Sequence, residues 1–421
     1  MDAIDKHSPT YILRSHTHRV TSLVLNGSNK YGPEPILLSG DENGAIIIWN
    51  VVTRRPLDRI QLPSDVQVID IHVLDDRIIV LSKDHSLRIY TDLKETFEMK
   101  VNTLNFANIA IFSSSQAEEY TMVCCNTSNS ENIDIYNFFN GKMNSLIRLF
   151  NSVSFMHFIE MNSLLGKDFG KMGILMKIIR DDTRNILFCG FEGGFVIGFK
   201  IVNTKFATLE NNSYIKVILL SKFHYPNPIL DITLDIENGI LISSSTEKQL
   251  EEIDYTHCNL FQDTQNMDDY FVDPNQNIVM NKELWRESYL SQIMKTNYGK
   301  ISHLCLSKDL FVFSTWSGKT AVMDRSTNAE KYVFWTSRSR VVVSESSQGN
   351  IDPSRSKLTN KDVKFEKIGA MTIFDPFGAN VCIVPLQKNG IYTKARRLEQ
   401  YIHQTWCYVG YGNGNIAVYK I

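Results

Sequence analysis

The sequence predicts an all-β protein: a seven-bladed β-propeller over residues 1–421, closed by its N-terminal strand and carrying loop insertions in its later blades. Three observations predict it. A short strand with one kind of ending recurs seven times, its first copies are spaced as four-stranded blades are, and each chain end holds part of an incomplete blade.

The first copy is the clearest. A turn of small and acidic residues, from Ser39 to Gly44, leads into alternating apolar residues that end on Trp49. Similar strands end on Tyr90, Tyr136, Phe199 and Tyr419, and weaker copies lie over 250–254 and 319–324. The first two intervals are 41 and 46 residues, the length of a four-stranded blade. Later intervals are longer, so those blades carry insertions. The chain stops at Ile421, one strand short of a finished last blade, while residues 11–14 form a spare strand at the other end. Pairing the two removes the open edge an unclosed sheet would expose.

His16 precedes the first copy, Ser39 opens its turn, Asn43 precedes Gly44 and Trp49 ends its strand. This resembles the WD repeat, in which His, Ser or Thr, Asp and Trp side chains form a hydrogen-bonded chain across a blade. His16, Ser39, Asn43 and Trp49 are the expected members, with the Asn43 amide replacing the usual carboxylate. An uncharged acceptor makes a weaker chain. Asp84 stands six residues before Tyr90, as Asn43 stands six before Trp49, so the other copies read as worn repeats.

Composition narrows the class. Hydrophobic residues make up 43% and charged residues 21%, which suits one large core. A net charge of −2 offers no general attraction for nucleic acid or anionic membrane. The seven cysteines include no Cys-x-x-Cys pair, and the acidic residues near Met1 are unlike a signal peptide; both point to a reduced, intracellular setting. No stretch has the length of a membrane span, and 217–220 reads as a buried strand.

Two segments interrupt the blade pattern. Residues 251–300 read as an acidic and helical insertion. Seven acids from Glu251 to Asp273 enclose apolar islands at 259–261 and 270–272, followed by helical spacing with Leu284, Tyr289 and Ile293 on one face. Such a strip is either solvated or a docking segment for a basic partner. Residues 337–364, rich in Ser and basic residues, read as a mobile loop. The basic cluster at 394–397 reads as solvated surface.

No catalytic constellation stands out. His16 and His18 lack metal-ligand partners nearby, and His257–Cys258 is a pair without a second half. The glycines around Tyr411 read as a hairpin turn rather than a phosphate cradle. Acids brought together in a propeller channel remain open as a hydrolase site.

The opening stretch 13–20, the turn 189–194 and the turn 314–319, taken with the worn WD repeats, resemble the ASTRA-associated protein 1 family of budding yeasts, whose animal relative is a G-protein β-subunit-like WD protein. Ser317 departs from the acid of the family's Gly-Trp-Asp turn. The resemblance implies a non-enzymatic scaffold without cofactor, working with the TTT co-chaperone that matures phosphatidylinositol-3-kinase-like kinases. It also implies membership of the ASTRA assembly, links to chromatin and telomere maintenance, and residence in the nucleus and cytoplasm. Expected partners are TTT subunits, other ASTRA components and large helical-repeat proteins, met by one monomer within a hetero-complex, with no direct nucleic acid or membrane contact. Turn aromatics and their flanking charges give the candidate docking residues Glu192, Trp316, Lys319 and Tyr411. Two alternatives stay open. A ubiquitin-ligase substrate receptor ends a blade on Trp-Asp-x-Arg, and the stretch from Trp49 to Val52 lacks that Arg. A WD-type hydrolase, such as a diphthine methylesterase, needs a reactive group in the channel.

Overall fold

In the third strand of the first blade, Ala45–Asn50, every residue is buried, because both faces of a propeller blade pack against neighbouring blades. The computed structural model describes residues 7–421 except 28–33, 64, 106, 115–117, 167–169, 205, 207–208, 210–211, 257–266, 288–290, 338–364 and 377–391. Seven antiparallel blades form the ring. Their innermost strands are Val20–Asn26, Val68–Leu74, Ala110–Ser113, Leu175–Asp181, Asp231–Asp235, Ile301–Leu306 and Ile368–Phe374. Each touches the next, and the last touches the first. The seven strand endings read from the sequence are the third strands of blades 1 to 7 in order.

Closure is as the chain ends predict. Tyr11–Arg14 is the outer strand of blade 7, with Tyr11 opposite Val418 and Arg14 opposite Asn415. Hydrogen bonds also tie blade to blade. The Thr21 hydroxyl donates to the Val68 carbonyl at 2.6 Å, the Tyr255 hydroxyl to Asp181 at 3.0 Å, and the Arg325 guanidinium to Asp235 at 2.5 Å.

The acidic segment departs from its sequence reading. Gln249–Asp254 is the third strand of blade 5 and Ser291–Lys295 its fourth, so the insertion is 255–290 rather than 251–300. Glu251 is buried in the blade. The apolar island at 270–272 lies in Tyr270–Asp273, which pairs with Ile278–Asn281 as a hairpin; the island at 259–261 lies outside the described residues. That hairpin adds in parallel to the outer strand of blade 4, Tyr214–Ser221, making a six-stranded sheet. The apolar residues at 270–272 thus belong to a strand, and their partners Ile278, Val279 and Met280 cover an edge that would otherwise stay open. Helix α2, Lys282–Glu287, follows and buries Leu284 against the same edge, as its helical spacing predicts. Ile293 is 53% exposed in a strand rather than part of the helix, and Tyr289 lies outside the described residues.

Of the expected mobile loop, Ser337 bridges to Phe365 and 338–364 lie outside the described residues. Two further helices are α1, Phe155–Met161, before blade 4, and α3, Tyr392–Ile402, between the first two strands of blade 7. No described helix is long and apolar enough to cross a membrane.

Candidate partner-docking face

Blade 1 holds the hydrogen-bonded chain, with one member changed. His16 Nδ1 lies 2.8 Å from Asp41 Oδ2 and Nε2 lies 2.7 Å from Ser39 Oγ, which accepts from Trp49 Nε1–H at 2.8 Å. The distances fit a directional run in which His16 carries its proton on Nδ1, donates to Asp41 and accepts from Ser39. The acceptor is therefore the Asp41 carboxylate, and the Asn43 assignment is corrected. Asn43 sits in the turn, where its amide N–H donates to Asp41 at 2.9 Å and its side chain reaches Asp65 at 3.3 Å. Burial alone would raise the Asp41 carboxyl, but bonds from His16 and the Ala45 and Asn43 amides hold it below its ordinary value. The acceptor is a carboxylate rather than an amide, so the weakening expected of Asn43 does not apply.

Other blades carry different hydrogen-bonded groups in its place. In blade 2 the Arg88 guanidinium bonds Ser82 at 2.8 Å and Asp84 at 2.5 Å. In blade 3 the buried Asp134 accepts from Asn126 at 2.8 Å and from Tyr136 at 3.1 Å. At the junction of blades 4 and 5, His224 Nε2 on the connection lies 3.0 Å from Ser243 Oγ, and Ser221 Oγ at the end of blade 4 lies 2.7 and 2.8 Å from the two oxygens of Glu251 in blade 5.

Strands alternate in direction within a blade, so the turns between second and third strands share one face with the connections running from blade to blade. Three of the four candidate docking residues lie on this turn face. Glu192 is exposed on the blade 4 turn, where its N–H donates to the Ile174 carbonyl at 2.9 Å. Trp316 is 51% exposed on the blade 6 turn, anchored by its N–H to the Lys300 carbonyl at 3.0 Å, with Lys300 Nζ 5.8 Å from its ring. Lys319 begins the following strand, half-buried, with Nζ over Phe365 at 5.6 Å. Glu192 and Trp316 are thus on one face but two blades apart.

Tyr411 does not belong with them. It ends a strand, is 0% exposed, and its hydroxyl meets that of Tyr419 at 3.2 Å. The glycines around it form a packed hairpin: Gly414 has φ +81°, and a Cβ there would come 2.4 Å from the His16 carbonyl oxygen. That leaves no room for a phosphate.

A residue the sequence reading missed joins the face. Leu104 is 72% exposed on the connection from blade 2 to blade 3. Lys83, on the blade 2 turn, fixes it by donating to the carbonyls of Thr103 at 2.7 Å and of Leu104 and Asn105 at 3.3 Å. Its only sequence signal is one apolar residue amid polar ones, which no periodicity rule detects.

Two charged pairs lie on the innermost strands that line the channel. Asp70 meets His72 at 2.9 Å and Lys177 meets Asp231 at 3.0 Å, while Asp231 also accepts the Leu304 amide at 2.7 Å. Burial alone would raise the Asp70 carboxyl, yet the His72 imidazole beside it holds it below its ordinary value. Burial alone would lower the Lys177 ammonium, yet the Asp231 and Asp70 charges raise it. Among the described residues no group of three or more His, Cys, Asp and Glu could hold a metal.

The family model for ASTRA-associated protein 1 matches residues 9–419. A relative of that name in Zygosaccharomyces rouxii is 31% identical over 425 residues, with 98% of each chain covered. One in Saccharomyces cerevisiae is 30% identical over 448 residues, covering 98% of this chain and 96% of its own. Among solved structures, the β-propeller domain of Myceliophteria thermophila Cps50 (Swd1) aligns with a TM-score of 0.56 at 11% identity, with 99% of each chain covered. Chaetomium thermophilum Raptor aligns at 0.55 and 10% identity, over 98% of this chain and 29% of its own. These structural likenesses concern the fold alone. The sequence matches, running almost end to end, carry more: the chain belongs to the ASTRA-associated protein 1 family.

Proposed function

We propose that the chain is a non-enzymatic scaffold subunit of the ASTRA assembly, which docks helical-repeat subunits of the TTT co-chaperone through its turn face and so supports maturation of phosphatidylinositol-3-kinase-like kinases. On this reading it is nuclear with a cytoplasmic pool, and its links to chromatin and telomeres run through its partners. The observation that carries the proposal is the rigid presentation of Leu104 and Trp316. Both are large and exposed, Leu104 held through its carbonyl by the Lys83 ammonium and Trp316 through its N–H by the Lys300 carbonyl, so a partner that covers them does not have to order the surface first. The family name supports the assembly. The pairing of the channel acids with His72 and Lys177 supports a structural rather than reactive use of them.

Affinity purification with mass spectrometry tests it. The variant Leu104→Asp with Trp316→Ala should fold as the parent does and recover TTT subunits at least about fivefold less well, since an anchor residue contributes roughly 1–2 kcal/mol or more. A folded variant that recovers them undiminished removes the turn face from the account. The charge reversal Glu192→Lys with Lys319→Glu then shows whether the polar rim contributes.

A further inference from the structure

On the opposite face, between blades 7 and 1, lies a groove of about 950 Å³. Aromatic rings underlie it, with Tyr401 and Trp406 buried and Tyr11 half-buried at the edge. Tyr401 and Trp406 stack with centroids 5.4 Å apart, and Tyr11 of the closing strand lies 6.0 Å from Trp406. The Arg54 guanidinium, on the turn ending the third strand of blade 1, sits 4.1 Å over the Tyr11 ring. Helix α3 brings Arg396 and Arg397 to the rim, where Lys420 also lines it, and all four cations are exposed. None of the four has a carboxylate partner among the described residues, and the lining holds a single acid, Glu399. The basic cluster that reads in sequence as plain solvated surface therefore belongs to a concave site.

We propose that this groove docks an acidic linear segment of a partner protein, with its carboxylates on Arg54, Arg396 and Arg397 and an aromatic side chain packed against the edge of the half-buried Tyr11 that Arg54 leaves open. The charge is complementary to such a segment, and planar guanidinium forks match carboxylates in bidentate geometry. The apolar edge of Tyr11 beside the cations favours a peptide over a bare polyanion. Rigid rings give contact area at little entropic cost, and Tyr, Trp and Arg together mark interface anchors. The site lies on the other face from Leu104 and Trp316, so it goes beyond the function proposed above and stands independently of it.

The test uses the full chain and a fluorescein-labelled acidic peptide with one central tryptophan. The same peptide with alanine in that place and a DNA duplex serve as comparison probes. Fluorescence anisotropy should show binding of the tryptophan peptide that weakens with salt, falls about tenfold or more in Arg396→Glu with Arg397→Glu, and falls likewise in Arg54→Glu, which lies outside the helix. Trp316→Ala should leave it unchanged, which separates this site from the turn face. All these variants should melt as the parent does. Absence of binding, or binding that survives both arginine variants, would overturn the proposal. So would equal binding of the alanine peptide or the duplex, which would mark a general polyanion surface.

Discussion

Leu13 stands opposite Ile416 in the last blade, so residues from the two ends of the chain share one sheet and one core cluster with Trp49. The ring is held shut by the segment that leads into its first blade.

Removing residues 1–14 should therefore lower the melting temperature sharply and promote aggregation, because it uncovers the edge of Asn415–Lys420 and the apolar cluster beneath. A truncated chain that melts with the parent would show that closure does not depend on this strand.

The hydrogen-bonded chain of blade 1 makes a graded prediction. Trp49→Ala should cost about 3–5 kcal/mol, as expected for a buried aromatic. Asp41→Asn should cost about 1–3 kcal/mol by leaving His16 with a poorer acceptor. Asn43→Ala should stay within about 0.5 kcal/mol, since its backbone N–H remains. Urea denaturation of the three variants checks the order, and an Asn43 effect larger than that of Asp41 would reverse the assignment.

The strand endings were legible because each blade repeats one local pattern, and closure was legible because both leftover strands were visible. Asn43 was misassigned because spacing alone cannot choose between two turn residues; only the distances to His16 single out Asp41. Tyr411 was misread because Gly-Tyr-Gly looks like a turn, although its tyrosine is the last residue of a strand. The hairpin of the acidic insertion was illegible for a different reason: parallel pairing of Ile215 with Ile278 is nonlocal and leaves no spacing signal.

That hairpin should melt with the propeller. Met280 is buried in the large core cluster beside Val217 and Leu220, so Met280→Ala should cost about 2–5 kcal/mol in one cooperative transition. A separate early transition, with the main one unmoved, would mark the hairpin as an appendage.

The junction of blades 4 and 5 predicts opposing pH effects. Burial pushes the Glu251 carboxyl up from 4.5 to about 7, so the folded chain keeps a proton that the unfolded chain releases; this stabilisation is full below 4.5 and is lost as pH rises towards 7. Burial pushes His224 down from 6.5 to about 4, so its contribution is full above 6.5 and is lost as pH falls towards 4. The two slopes offset between these values in the parent. Glu251→Gln should therefore give stability that rises with pH across 4.5 to 6.5, by up to about 1.4 kcal/mol per unit, and His224→Gln stability that falls. Flat profiles in both variants would refute the opposition.

Hydrogen exchange measures directly whether partners dock on the face of the turns, as proposed. The purified chain and its complex with the recovered TTT subunits would be compared peptide by peptide. Slowed exchange at 102–105 and 315–318, with the outer strands of blades 2 and 6 unchanged, is the predicted result. Unchanged exchange at both sites, with protection confined to outer strands or to the opposite face, would contradict it.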